Sequence, residues 1–172
     1  QGRTPEKFAA LERQGFQLFP QDGSGITRPE QVLVASAAVE DTVPEVVRAK
    51  ELGLPRLTRA DLNAALFNAA ETGVAVAGTS GKSTVTGMLG WILHHAGREP
   101  TIMNGAVMKN FVSDDRPFAS AVVGDADLYV SEVDESDGSI AQYNPAVGIL
   151  LNVSLDHKSM DELRELFGNF LE

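Results

Sequence analysis

Cysteine is absent from this 172-residue chain, tryptophan occurs once, tyrosine twice, and only 14 lysines and arginines stand against 24 aspartates and glutamates. Without cysteine there is no disulfide framework, no thiolate metal site and no thiol nucleophile. The shortage of cations, with no basic cluster anywhere in the sequence, removes the face a nucleic-acid binder needs. No apolar run approaches the roughly 20 residues that span a bilayer, and no charged-then-apolar leader opens the sequence. Neither nucleic acid nor membrane is therefore an expected partner, and the cytoplasm is the expected compartment. The hydrophobic content of 43% is enough for one ordinary core or two small ones. The acidic excess is uneven, with 8 Lys+Arg against 10 Asp+Glu in residues 1–72 and 6 against 14 in residues 73–172. The first residue is Gln1 rather than Met, which suggests a segment of something longer.

What is present is concentrated in Gly73-Val-Ala-Val-Ala-Gly-Thr-Ser-Gly-Lys-Ser-Thr84. A short apolar strand, Val74 to Ala77, runs into a glycine turn carrying a lysine and hydroxyls, and Ser83 to Ala96 follows with helical spacing of Val85, Met88, Leu89, Ile92 and Leu93. Binding a polyphosphate takes inward N–H groups, glycines that let backbone approach closely, an ammonium and a hydroxyl for magnesium. Gly78, Gly81, Lys82 and Ser83 supply all four, with Thr79, Ser80 and Thr84 completing the loop. The common form of this loop has a glycine where Val76 stands, so the match is to a shorter variant. If an anionic nucleotide binds the more acidic half, local N–H groups, Lys82 and a divalent cation must overcome an unfavourable field.

Upstream, the pattern predicts helices over Pro5–Gln14, Pro44–Leu52 and Asp61–Ala70, with strands over Phe16–Phe19 and Gln31–Ser36, the rhythm of a parallel α/β sheet. A doubly wound domain ordinarily opens on a strand and a glycine turn. This chain opens on a helix, so its first βα unit is expected to be missing. Two domains are predicted, 1–72 and 73–172. The second carries extended segments at Thr101–Asn104, Ala119–Val123, Leu128–Val133 and Ala146–Val153, then a helix over Met160–Leu171 with one apolar face. The fold class is α/β: a partial Rossmann-like domain followed by a P-loop domain with a parallel sheet, both incomplete.

Two clusters follow predicted strands, where ligands of open α/β sheets collect. In Ser131-Glu-Val-Asp-Glu-Ser-Asp137, Glu132 is placed to meet a magnesium ion held by Ser83 and nucleotide phosphates, since magnesium needs only one or two carboxylates beside phosphate and water. In Leu151-Asn-Val-Ser-Leu-Asp-His157, His157 beside Asp156 is a second candidate ligand. Ser83, Glu132 and His157 together could hold two cations bridging phosphates and an incoming oxygen. His94 and His95, late in the P-loop helix, read as structural or surface residues. These residues alone leave open a ligase, a P-loop NTPase or kinase, and a non-catalytic nucleotide-binding module.

Gly78-Thr-Ser-Gly-Lys-Ser-Thr84, Glu132-Val-Asp-Glu-Ser-Asp137 and Asn152 through Asp156-His157, in this order, resemble the central domain of the Mur ligases, the enzymes that build the peptide of bacterial peptidoglycan. Ser36-Ala-Ala-Val-Glu40, Pro44-Glu, Ala49, Gly53-Leu-Pro55 and Arg59 resemble the N-terminal domain of the family's alanine-adding and murein-peptide-recycling branches. The resemblance implies an ATP- and Mg2+-dependent ligase that joins an amino acid or peptide to UDP-linked muramic acid through an acyl phosphate. It implies that Lys82 is catalytic and stabilises the β and γ phosphates, that Ser83 and Glu132 hold one magnesium, and that His157 holds a second. Thr84, Asn104 and Asn152 become candidate contacts to nucleotide or substrate. The sequence departs from the alanine-adding branch at Ser80, where His is usual, and at Ser83, where Thr is usual. The C-terminal domain that brings the amino acid in this family has no counterpart here, so the segment by itself is expected to be inactive.

Overall fold

The computed structural model describes residues 5–114, 116–154 and 159–171, which divide into two compact units, Gln1–Asn63 and Ala64–Glu172. In the first, α1 (Pro5–Arg13), β1 (Leu33–Ala35), α2 (Pro44–Glu51) and β2 (Arg56–Thr58) precede α3 (Arg59–Asn68), which carries the chain into the second unit. Strands β1 and β2 pair in parallel, Leu33 beside Arg56 and Ala35 beside Thr58. Ile26, Ala49 and Leu54 make the small core, with Leu33 and Leu52 against it. Pro44 starts α2 with its φ already set and no N–H to lose. Thr58 and Asp61 form a reciprocal cap at the start of α3, Asp61 N donating to Thr58 Oγ1 at 3.0 Å and Thr58 N to Asp61 Oδ2 at 2.7 Å.

Two expectations are corrected in this unit. Phe16–Phe19 forms no strand, and Phe16 and Phe19 are 58% and 53% exposed. The run leads into Pro20, which has no ladder donor, and a turn in which Ser24 N donates to Asp22 Oδ1 at 2.9 Å. Strand β2, by contrast, was not expected. Its Arg-Leu-Thr has a single apolar residue, and it becomes a strand through β1, not through its own pattern.

The second unit is one five-stranded sheet, in order β5-β4-β6-β3-β7, formed by β3 (Thr72–Ala77), β4 (Pro100–Met103), β5 (Ala121–Val122), β6 (Asp125–Glu132) and β7 (Val147–Leu150). All neighbours are parallel except β5 on β4. Helices α4 (Lys82–His95) and α5 (Met160–Leu171) complete it. The pleat of β3 divides its side chains between two cores, as a strand buried on both faces requires. Ala75 and Ala77 join Phe67, Tyr129, Ile140, Leu163 and Phe167 on one side, and Val74 joins Ile102, Met108, Phe111 and Val130 on the other. Gly73 has no side chain because Phe67 occupies the space, 2.6 Å from where a Cβ would lie. Burial pushes the Tyr129 hydroxyl pKa up to about 12, with a smaller contribution from Tyr143. β3 thus lies between β6 and β7, so whatever leaves its C-terminal end stands between the ends of those two strands.

Candidate functional site

β3 ends at Ala77, and the chain turns through Gly78 at φ +136° and Gly81 at φ +86°, conformations that side chains disfavour. Gly78 is also crowded: a Cβ there would lie 3.1 Å from the Asn152 carbonyl oxygen and 3.2 Å from its nitrogen. Gly81 is the N-cap of α4 and, having no side chain, leaves the first N–H groups of the helix without a side-chain cap. The result is a cluster of N–H groups at the positive end of a 14-residue helix, suited to an anion. A depression of about 300 Å³ lined by Thr79 to Thr84 lies on this turn.

Asn152, just beyond β7, fastens the loop from outside. Its carbonyl accepts from Thr79 N at 3.2 Å, its Oδ1 accepts from Ser80 N at 3.1 Å and Ser80 Oγ at 3.3 Å, and its Nδ2 donates to Ser80 O at 2.9 Å. Thr79 Oγ1 adds a further tie by accepting from Ser154 N at 3.0 Å. Thr79 and Ser80 are therefore engaged with the neighbouring strand end, while the start of α4 has no side-chain cap. Asn104, expected near the ligand, is 6% exposed and tethers the first turn of α4, its Nδ2 donating to Ser83 O at 3.0 Å.

Lys82 bends back over the loop. Its Nζ donates to Gly78 O at 2.7 Å and to Glu135 Oε2 at 2.8 Å. Sequence reasoning missed Glu135 as a site residue, because it stood inside an acidic run from which only Glu132 was singled out. Glu132 itself ends β6, and its Oε2 is buried without a hydrogen-bond partner among the described residues. The carboxyl group lies against the backbone at Gly105, where an added Cβ would be 3.1 Å from Glu132 Cδ and closer still to Oε1. A buried carboxylate oxygen left without a partner is costly unless something supplies a positive charge. A hard divalent cation fits that need, with Ser83 for a hydroxyl ligand and phosphate and water for the remainder. Among the described residues no group of three or more His, Cys, Asp or Glu is arranged to hold a metal. His157 and Asp156 lie outside the described residues.

A second cavity, of about 330 Å³, shares Ser83 and Thr84 with the first and continues along α4 past Met88 and Trp91 to Asn110 and Phe111. The two cavities thus share residues of the first helical turn, one lined by the glycine turn and the other by mixed polar and apolar side chains. His94 and His95 pack around Trp91, with His95 edge-on at 4.3 Å between ring centroids, and His94 Nδ1 lies 3.3 Å from Glu99 Oε1.

Residues 76–167 match the Mur ligase middle domain. UDP-N-acetylmuramate–L-alanine ligase of Hydrogenobaculum sp. is 36% identical over 173 residues, covering 98% of this chain and 37% of the relative. The enzyme of the same name from Streptomyces coelicolor is 42% identical over 142 residues, covering 80% of this chain and 29% of the relative. Among solved structures, UDP-N-acetylmuramate–alanine ligase from Thermotoga maritima superposes with a TM-score of 0.77 at 25% identity, covering 96% of this chain and 38% of that one. The chain thus spans 37% and 29% of the length of these two relatives. Over that span, sequence and fold agree, and the chain belongs to the Mur ligase family.

Proposed function

We propose that the intact protein is an ATP-dependent carboxylate–amine ligase of peptidoglycan precursor synthesis, joining an amino acid such as L-alanine to UDP-N-acetylmuramate. In this reading residues 1–72 belong to the domain that holds the UDP-linked substrate and residues 73–172 to the domain that holds ATP. The substrate carboxylate attacks the γ-phosphorus, giving an acyl phosphate and ADP. The amine then attacks the acyl carbon, phosphate leaves, and an amide remains. Gly78 to Thr84 bind the phosphates, Lys82 stabilises charge on the β and γ groups, and Ser83 with Glu132 holds Mg2+. When bound, the metal supplies charge neutralisation to the phosphates and screens their repulsion of the incoming carboxylate. His157 as ligand to a second Mg2+ belongs to the same proposal. ATP and a UDP-linked sugar as substrates place the reaction in the cytoplasm.

The single observation that carries this reading is the unpartnered buried carboxylate oxygen of Glu132 at the end of the strand beside the P-loop strand. Support also comes from the two cavities that share Ser83 and Thr84, one lined by the glycine turn and the other by mixed polar and apolar side chains. The test is ATP turnover by the intact protein with UDP-N-acetylmuramate and L-alanine supplied together and singly. ADP release is expected only with the carboxylate substrate, and amide only with both. Turnover indifferent to both would make the protein a plain NTPase. Amide formation on UDP-N-acetylmuramate with a murein peptide in place of L-alanine would move it to the recycling branch.

A further inference from the structure

The contact that the proposed reaction does not yet use is Lys82 with Glu135. The two side chains are 17% and 9% exposed, so this is an ion pair largely removed from water, and its 2.8 Å separation is that of a charge-assisted hydrogen bond. Glu135 does not reach Lys82 by chance of a mobile loop. Val133 N donates to Val76 O at 3.0 Å, Ile140 N to Asp134 O at 3.1 Å, and Ser136 N to Asp134 Oδ1 at 2.9 Å, which fixes the backbone on both sides of Glu135. An ammonium has three donors. Gly78 O and Glu135 Oε2 take two of them, leaving one for a phosphate oxygen.

The electrostatic consequence is larger than the geometric one. A P-loop lysine ordinarily contributes a full positive charge towards the nucleotide. Here that charge is already compensated by a buried carboxylate, and Glu132 adds a second negative group. We infer that Glu135 is a positioning residue that orients the Lys82 ammonium and cancels its net charge, so that the loop accepts ATP only as the metal-loaded nucleotide and discriminates against metal-free ATP. This rests on the ATP site proposed above.

The experiment is calorimetric titration of the intact protein with ATP in excess Mg2+ and again with ATP in EDTA. The quantity read is the ratio of the two affinities. Wild-type protein is expected to bind Mg·ATP and to bind metal-free ATP far more weakly. Glu135→Gln keeps an oxygen to accept from Lys82 but removes the charge, and it should narrow the ratio by roughly 10- to 1,000-fold, the range for one unit charge acting over about 4–10 Å at an effective dielectric near 20. Glu135→Asp keeps the charge and should leave the ratio near the wild-type value. A merely structural role for Glu135 would weaken both affinities together and leave the ratio unchanged, and that result overturns the inference. If wild-type protein binds Mg·ATP but shows no preference over metal-free ATP, the inference again falls while the ATP site stands. If wild-type protein binds neither form, both fall.

Discussion

The Gly78–Ser83 loop and the Glu132–Asp137 turn leave neighbouring parallel strands, yet they are built by opposite means. The loop has its shape imposed from outside: Asn152 and Ser154 hold Thr79 and Ser80, and two glycines at positive φ let the backbone pass. Past Val133, whose N–H donates to Val76 O of β3, the turn is held by its own residues. Asp134 accepts from Ser136 N and Asp137 from Ser139 N, each at 2.9 Å, so these two carboxylates are spent on local backbone. Glu132 and Glu135 are left to do something else, one lying against Gly105 with a buried oxygen unpartnered and the other on Lys82. A run of four acidic residues is thus half scaffold and half site, and the two halves alternate along the chain. The loop supplies dipoles and a held cation, and the turn supplies uncompensated negative charge that calls for a metal.

If that division is right, the largest effect comes from the one side chain that joins the two regions. Lys82→Ala should lower amide formation by the intact protein about 10³-fold, the order seen when a charge-stabilising donor is removed from a reaction centre. Activity within tenfold of wild type would mean that the loop does not serve the reaction. Next is Glu132→Gln, expected to lower activity about 10²-fold and to raise the Mg2+ concentration needed for half-maximal rate. Its thermal stability should be equal to or above that of wild type, because Oε2 has no hydrogen bond to lose and burying its charge is unfavourable. A marked fall in melting temperature would make Glu132 a structural residue and erase the contrast with Asp134 and Asp137.

Asn152→Ala separates fastening from binding. It removes side-chain bonds to Ser80 N, Oγ and O, so about 1–3 kcal/mol of stability should be lost, with ATP affinity falling about tenfold as the loop loosens. The melting temperature by calorimetry and the affinity by titration should fall together. Lost affinity at unchanged stability would make Asn152 a ligand contact, as the sequence suggests, instead of the clamp that the structure displays.

How much of this was legible in the sequence follows from the range of each interaction. The P-loop strand, turn and helix are local, and Gly78 through Thr84 carry their chemistry in consecutive residues, so spacing alone reveals them. Glu132 was legible because a carboxylate at a strand end has a geometric address. Glu135 was not, since its partner lies 53 residues away and four acidic side chains within six residues give no sign of which face inward. Asn152 was visible as a candidate but its role was not, because clamping depends on β7 pairing with β3. In the first unit, Phe16–Phe19 has the apolar pattern of a strand and no ladder to join, while Arg56–Thr58 lacks the pattern and finds β1. Local pattern is a proposal that tertiary pairing accepts or refuses.

The smallest effect expected at neutral pH tests the sheet beneath both regions. Tyr129 lies on β6 three residues before Glu132 and pairs with Gly73 on β3, so it supports the loop and the turn without reaching either. Tyr129→Phe should leave the affinity for Mg·ATP and the turnover rate near wild type at pH 7, and a change of more than a few-fold would show that the core under the site tunes its chemistry. Its signature is instead at high pH. With the folded pKa at about 12 against a reference of 10.0, the neutral phenol is favoured by folding. That contribution is fully present below pH 10 and is lost as pH rises through 12, amounting to about 2–3 kcal/mol over the window. Denaturant melts of wild type should therefore weaken between pH 10 and 12 more than those of Tyr129→Phe, while the two lines run parallel below that range. Parallel lines throughout would mean that the phenol ionises as readily in the folded protein as in the unfolded chain, and the tightness of the β3–β6 core would have to be judged again.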